Sequence, residues 1–158
     1  MTNLHVLFPT LVYETSMKED IGSLLELILK KNVKETNEWR CDTKTTFDSD
    51  MIIGDNNFDN IIHFLMNEVK IFAGNYGCYG EPKIVDAWIN VAEPGSFQEY
   101  HIHPNCHFSV VYYIKTPENS GNIVFRSHEA DFDMFMLPLQ DYKPASYKTW
   151  AFCPSEGK

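Results

Sequence analysis

The sequence predicts an α+β domain, with helices packed on one side of a β-sandwich or barrel. Three observations predict it. Two helical hydrophobic periods occupy the first half of the chain. From residue 84 onward the texture changes to short alternating or β-branched runs separated by Pro/Gly turns. The two patterns are segregated rather than interleaved, which is the order of an α+β domain and not of a parallel α/β sheet. At 158 residues, with 44% hydrophobic and 14% aromatic content, the chain can bury one ordinary core. A single domain over 1–158 is expected, with a helical part at 1–80 and a β core at 84–158.

The elements follow in order. Residues 7–13 (LFPTLVY) form a short apolar run broken by Pro9, which suits an edge strand or an entry segment lying on the core. In 17–33, Ile21, Leu24, Leu25 and Ile28 recur at helical spacing, and Lys30 and Lys31 complement the dipole at the end. Residues 34–50 are polar and read as loop, with a short strand around 45–47. A second helix is predicted over 57–74. Phe58, Ile61, Ile62, Leu65, Val69 and Phe72 share one face, and Asp55 to Asn57 offer a cap. His63 lies off that stripe and reads as a surface histidine. Gly74, Gly77 and Gly80 punctuate the turn that follows.

In 84–91 (IVDAWINV), Asp86, Trp88 and Asn90 share one face of a strand, and Val85, Ala87, Ile89 and Val91 share the other. Pro94-Gly95 makes a turn, 97–103 is the next strand, and 108–115 (FSVVYYIK) is a dense β run. TPENSG at 116–121 turns the chain so that 122–125 returns as its hairpin partner. Residues 131–147 read as loop, punctuated by Pro138 and Pro144, and 146–152 as a further strand.

Charge and cysteine usage exclude several classes. With 13 Lys+Arg against 22 Asp+Glu, the formal charge of −9 argues against a nucleic-acid footprint and against anionic membrane surfaces. No apolar run approaches the ~20 residues a membrane span needs. Cys41, Cys78, Cys106 and Cys153 are scattered, without a CxxC pair. The start, MTNLH, shows no basic-then-apolar leader. Four reduced thiols in a cytoplasmic protein are therefore expected.

The chemistry-bearing stretch is GSFQEYHIHPNCH at 95–107. On a strand, His101 and His103 project from the same face, and imidazole is the commonest ligand of first-row transition metals. A strand, a turn, a strand carrying His-x-His and then a tight hairpin suit a metal site in the mouth of a small double-stranded β-helix, or jelly roll.

The segment from Trp88 to Phe125, with W-x-N, P-G, H-x-H-P and Y-Y in order, resembles the core of the Fe(II)/2-oxoglutarate-dependent oxygenases related to prolyl hydroxylases. The opening Leu7-Phe8-Pro9-Thr10 resembles a branch found in bacteria and phages. The resemblance implies a double-stranded β-helix core with the N-terminal helices on one side. Its cofactors would be Fe(II) and 2-oxoglutarate, and its reaction the hydroxylation of a small-molecule or peptidyl substrate coupled to oxidative decarboxylation of 2-oxoglutarate. His101 matches the first metal ligand. His103 stands where that family usually has Asp or Glu. Tyr112 matches the tyrosine that seats the co-substrate carboxylate, and Trp88 and Asn90 are expected to line the pocket. The family's second metal histidine and its carboxylate-binding Arg or Lys lie on later strands, so the β core at 84–158 is expected to be incomplete on its C-terminal side. No nucleic-acid or membrane partner is expected, and a homodimer is compatible with this reading.

Two other readings compete. Gly95, His101, His103 and His107 reproduce the spacing of the first cupin motif, with His in place of Glu, and three histidines from one hairpin would complete a site. Against it, Ile114 stands where that motif has glycine, and no second cupin motif is visible. The other reading is a non-catalytic β-sandwich module whose histidines only hydrogen-bond, since one His-x-His is a weak motif in isolation.

Overall fold

A computed structural model of the chain describes residues 2–17, 21–35, 43–50, 52–128, 138–141 and 143–158. Helix α1 spans Ile21–Leu29 and helix α2 Asp59–Gly74. Ile28 of α1 is buried against Phe58 and Ile61 at the start of α2, with Ile52 and Ile89 closing the cluster. Leu24, Leu27, Ile62 and Leu65 pack around it. Leu24, Ile28, Phe58, Ile61, Ile62 and Leu65 belong to the two predicted stripes, while Leu27, Ile52 and Ile89 join the core from outside them.

The ends of α2 are set by local chemistry. The Asp55 carboxylate accepts the Asn57 amide at 3.0 Å and starts a 3₁₀ turn, Asn56–Phe58, that leads into the helix. At the other end the Gly77 amide donates to the Gly74 carbonyl at 3.0 Å and the Cys78 amide to the Ala73 carbonyl at 3.1 Å. These are the two bonds of a Schellman motif, and they need Gly77 at its observed φ of +72°. Where α1 gives way to the next turn, the Lys31 ammonium pairs with Asp50 at 3.0 Å and Asp55 at 2.9 Å. That pairing ties the end of one helix to the entry of the other.

Among the described residues there are two small antiparallel sheets. The first has the order β1 (Lys34–Glu35), β2 (Thr43–Thr45), β3 (Asn90–Ala92). In it Thr45 stands opposite Asn90 and Thr43 opposite Ala92. The second pairs β4 (Ile123–Arg126) with β5 (Thr149–Phe152), Phe125 facing Trp150 and Ile123 facing Phe152. Those four side chains share one face, and Phe125 meets Phe152 edge-on at 5.8 Å.

Several expected strands differ. Residue 45 ends β2, so the strand expected at 45–47 lies slightly earlier. The 84–91 strand is regular only from Asn90. Neither 97–103 nor 108–115 forms a regular strand, and the hairpin partner of β4 is β5 rather than 108–115. The physical reason is that alternation marks which residues favour an extended chain, while a strand exists only when a second backbone supplies its hydrogen bonds. Tyr113 finds such partners at 155–158: its amide donates to the Lys158 carbonyl at 2.6 Å, and the Gly157 amide donates back at 2.8 Å. Residues 7–13 form no strand and are largely exposed, Phe8 at 93%. Among the described residues, several large apolar side chains of 97–111 stay exposed, Phe97, Tyr100, Ile102, Val110 and Val111 among them. Cys78, Cys106 and Cys153 are free thiols, as expected. Cys41, and most of the loop expected at 131–147, lie outside the described residues.

Candidate metal centre

The extended segment that carries Trp88, just before β3, is fixed by threonines forty residues earlier. The Thr46 amide donates to the Ile89 carbonyl at 3.0 Å, and the Ile89 amide donates to Thr46 Oγ1 at 3.0 Å. The neighbouring Thr45 Oγ1 lies 2.8 Å from Asn90 Oδ1 and accepts the Phe47 amide at 3.1 Å. Thr45 and Thr46 are only 2% and 1% exposed, so water does not compete for these bonds. After β3 the chain reverses at Pro94-Gly95, where the Ser96 amide donates to the Glu93 carbonyl at 2.9 Å and Gly95 takes a φ of +90°. A proline followed by a residue at positive φ is the signature of a type II turn, which favours glycine there.

Beyond that turn lie the two histidines. Their rings stand edge to face with centroids 5.0 Å apart, so His101 and His103 are brought together as the His-x-His spacing predicts. His101 Nδ1 lies 2.9 Å from the Glu99 carbonyl. A carbonyl can only accept, so Nδ1 carries a proton, and in the neutral ring the lone pair is then on Nε2. That is the tautomer a metal-ligating imidazole needs, fixed by the kind of second partner such ligands use. Both histidines are exposed, hence open to an ion from solution. His103 also meets Trp88 at 5.8 Å, and Trp88 in turn meets Phe47 edge-on at 5.2 Å.

The other predicted residues are placed as follows. Asn90 is held by Thr45, so part of its polar end serves the first sheet. Tyr112 packs against the hydrophobic core, and burial pushes the neighbouring Tyr113 phenol above its ordinary pKa. His107 is exposed, and the turn before it is closed by Cys106 Sγ, 3.5 Å from the His103 carbonyl and 3.4 Å from Ser109 Oγ. His63 and His128 are exposed as well. Among the described residues, no three His, Cys, Asp or Glu side chains are grouped to hold a metal ion. The donors present thus fit part of an iron site: two adjacent imidazoles, one with its Nδ1 bonded to a carbonyl. The contribution of Phe47, Thr45 and Thr46 escaped the sequence reading, which gave 45–47 a strand and no role. No local pattern reports a contact made across forty positions.

Residues 86–158, a little under half of the chain, match the model of a family described as "Putative 2OG-Fe(II) oxygenase". The match spans Trp88, both histidines and Tyr112. It supports an oxygenase of that family and, at the level of the family, the use of Fe(II) and 2-oxoglutarate. No curated protein and no solved structure matches the chain. Among the described residues no helix is long and apolar enough to cross a membrane.

Proposed function

We propose that this chain carries part of the metal site of an Fe(II)/2-oxoglutarate-dependent dioxygenase built on a double-stranded β-helix. His101 and His103 would hold the metal, and Tyr112 would seat the co-substrate carboxylate. The observation that carries the reading is the paired imidazoles, with His101 Nδ1 tied to the Glu99 carbonyl, inside the stretch that matches the oxygenase family. Fe(II) bound there would supply the coupling of 2-oxoglutarate decarboxylation to C–H hydroxylation. In the balanced reaction 2-oxoglutarate, O₂ and R–H give succinate, CO₂ and R–OH.

The chain's own residues supply orientation. The Glu99 carbonyl favours the tautomer with the proton on Nδ1, which leaves Nε2 as the nitrogen that faces a metal in the neutral ring. An imidazole at His103, where the family usually has a carboxylate, adds no negative charge and leaves a bound divalent ion more positive. Such a site is expected to favour anionic co-ligands, a 2-oxo acid among them. The substrate class follows from fold-level analogy alone, a peptidyl or small-molecule C–H donor.

Titration with Co(II) or Mn(II), with and without 2-oxoglutarate, tests the reading. Binding that is lost in His101→Ala and in His103→Ala, kept in His107→Ala, and tightened by 2-oxoglutarate supports it. Binding lost in His107→Ala and indifferent to 2-oxoglutarate would instead favour a cupin-type three-histidine site. No binding in either case would leave a non-catalytic β module.

A further inference from the structure

His103 lies on a segment that no strand ladder holds, and its side chain is exposed. An imidazole in that setting samples several rotamers, and ordering it on metal binding costs conformational entropy. Yet its ring does not stand alone. Phe47, Trp88, His103 and His101 form a continuous file of rings, with successive centroids 5.2, 5.8 and 5.0 Å apart. The interplanar angles are 77°, 38° and 76°, so the end contacts are edge-on and the middle one is tilted. Edge-on aromatic pairs at such separations are attractive beyond the area they bury.

The file is anchored at its Trp88 end. The residue after Trp88 exchanges two hydrogen bonds with Thr46, itself 1% exposed, and Phe47 follows Thr46 directly. Trp88 and Phe47 are therefore presented by two backbones that are stitched together. Moving the indole means breaking buried bonds or driving Phe47 aside. His101 has its own support in the Glu99 carbonyl, and the Trp88 ring supplies a wall for His103.

We propose that Trp88, backed by Phe47, is a positioning residue that holds the His103 imidazole in the rotamer from which it can ligate a metal beside His101. The proposal rests on reading the His101/His103 pair as a metal site, and it assigns a role to residues outside the matched stretch. Residues 45–47 lie well before position 86, where that stretch begins. The N-terminal half thereby contributes to the site by fixing the wall against which one ligand rests, without touching the metal.

The test uses the full chain with ¹³C-labelled histidine. The His103 ring signals and their side-chain couplings report rotamer averaging without any metal, and Co(II) titration reports affinity. The variants are Trp88→Ala, Trp88→Phe and Phe47→Ala, each checked for folding by circular dichroism. In the wild type His103 is expected in one rotamer. Trp88→Ala is expected to show averaged couplings and a Co(II) affinity lower by roughly 10-fold or more, the usual cost of losing an outer support of a ligand. Trp88→Phe should restore most of both, because a ring still fills the wall. Phe47→Ala should shift the His103 signals although Phe47 is the ring beyond Trp88, an effect a merely local contact would not give. A His103 that is already averaged in the wild type, or unchanged couplings in Trp88→Ala, would overturn the proposal. If Trp88→Ala fails to fold, Trp88→Phe and Phe47→Ala decide it by the same readouts. A wild type that binds no Co(II) overturns the metal reading, while the couplings still decide whether Trp88 positions His103.

Discussion

Thr46→Val is the sharpest probe of how the chain just past β2 holds the segment that carries Trp88. Valine keeps the branched shape and the strand preference of threonine and removes only the hydroxyl. In the native chain that hydroxyl accepts the buried Ile89 amide at 3.0 Å, and Thr46 is 1% exposed. The substitution leaves an N–H in the core with no acceptor, which costs ~1–3 kcal/mol. For a chain of this length each kcal/mol moves the thermal midpoint by about 2–4 °C, so a fall of roughly 2 to 12 °C is expected. Thr46→Ser makes the complementary change, keeping the acceptor and losing one buried methyl, worth ~0.8 kcal/mol. Thermal denaturation followed by circular dichroism should therefore rank wild type above Ser above Val. A Val variant as stable as the Ser variant would refute the reasoning, because it would mean that the buried amide has another partner or reaches water.

Three further outcomes are expected. Gly157→Ala should destabilise the chain more than Gly95→Ala in urea denaturation. Both glycines sit at positive φ, +81° and +90°, but only at 157 would a new Cβ meet Ile21 Cδ1 and the Met17 carbonyl at 3.2 Å; the shared backbone strain is ~1–2 kcal/mol. Acid stability should depend on Lys31. Its hydrogen bonds hold the Asp50 and Asp55 carboxyls below their ordinary range, so their contribution is present above the unfolded-state value near ~4 and is lost as pH falls through the lower folded values. Lys31→Met should accordingly lower the thermal midpoint at neutral pH, and the gap to wild type should shrink as the pH is taken below that range. At the candidate centre, Glu99→Ala should leave Co(II) affinity nearly unchanged, because His101 bonds to the Glu99 main chain and not to its carboxylate. A large loss there would mean that the side chain is itself a ligand.

The helices and their stripes were legible in the sequence because they depend on residues three or four apart, and the cap at Asp55 because it bonds a residue two positions on. Pro94-Gly95 and Gly77 were legible as turns for the same reason: local steric rules at proline and glycine decide them. The His-x-His pair was legible as a pair, since spacing alone puts both rings on one side of an extended chain. The partner of 122–125 was not legible. Sequence proximity favoured 108–115 across a tight turn, but the chain pairs β4 with β5, where Phe125 and Ile123 find Trp150 and Phe152. Nor was the bond between Thr45 and Asn90, which joins residues forty-five apart.

What the sequence determined by itself is therefore what is set within a turn or two of chain: the two helices, the Asp55 cap before the second, the reversal at Pro94-Gly95, and two imidazoles close together. What only the tertiary structure decided is which distant segment meets which. Thr46 against Ile89, Phe47 behind Trp88, and Gly157 against Tyr113 close loops of about forty residues, whose entropic cost depends on length and hardly on sequence. Local preference cannot choose among such closures. They are chosen by whether a buried donor finds an acceptor and a ring finds a wall, and that is known only once both backbones are in place.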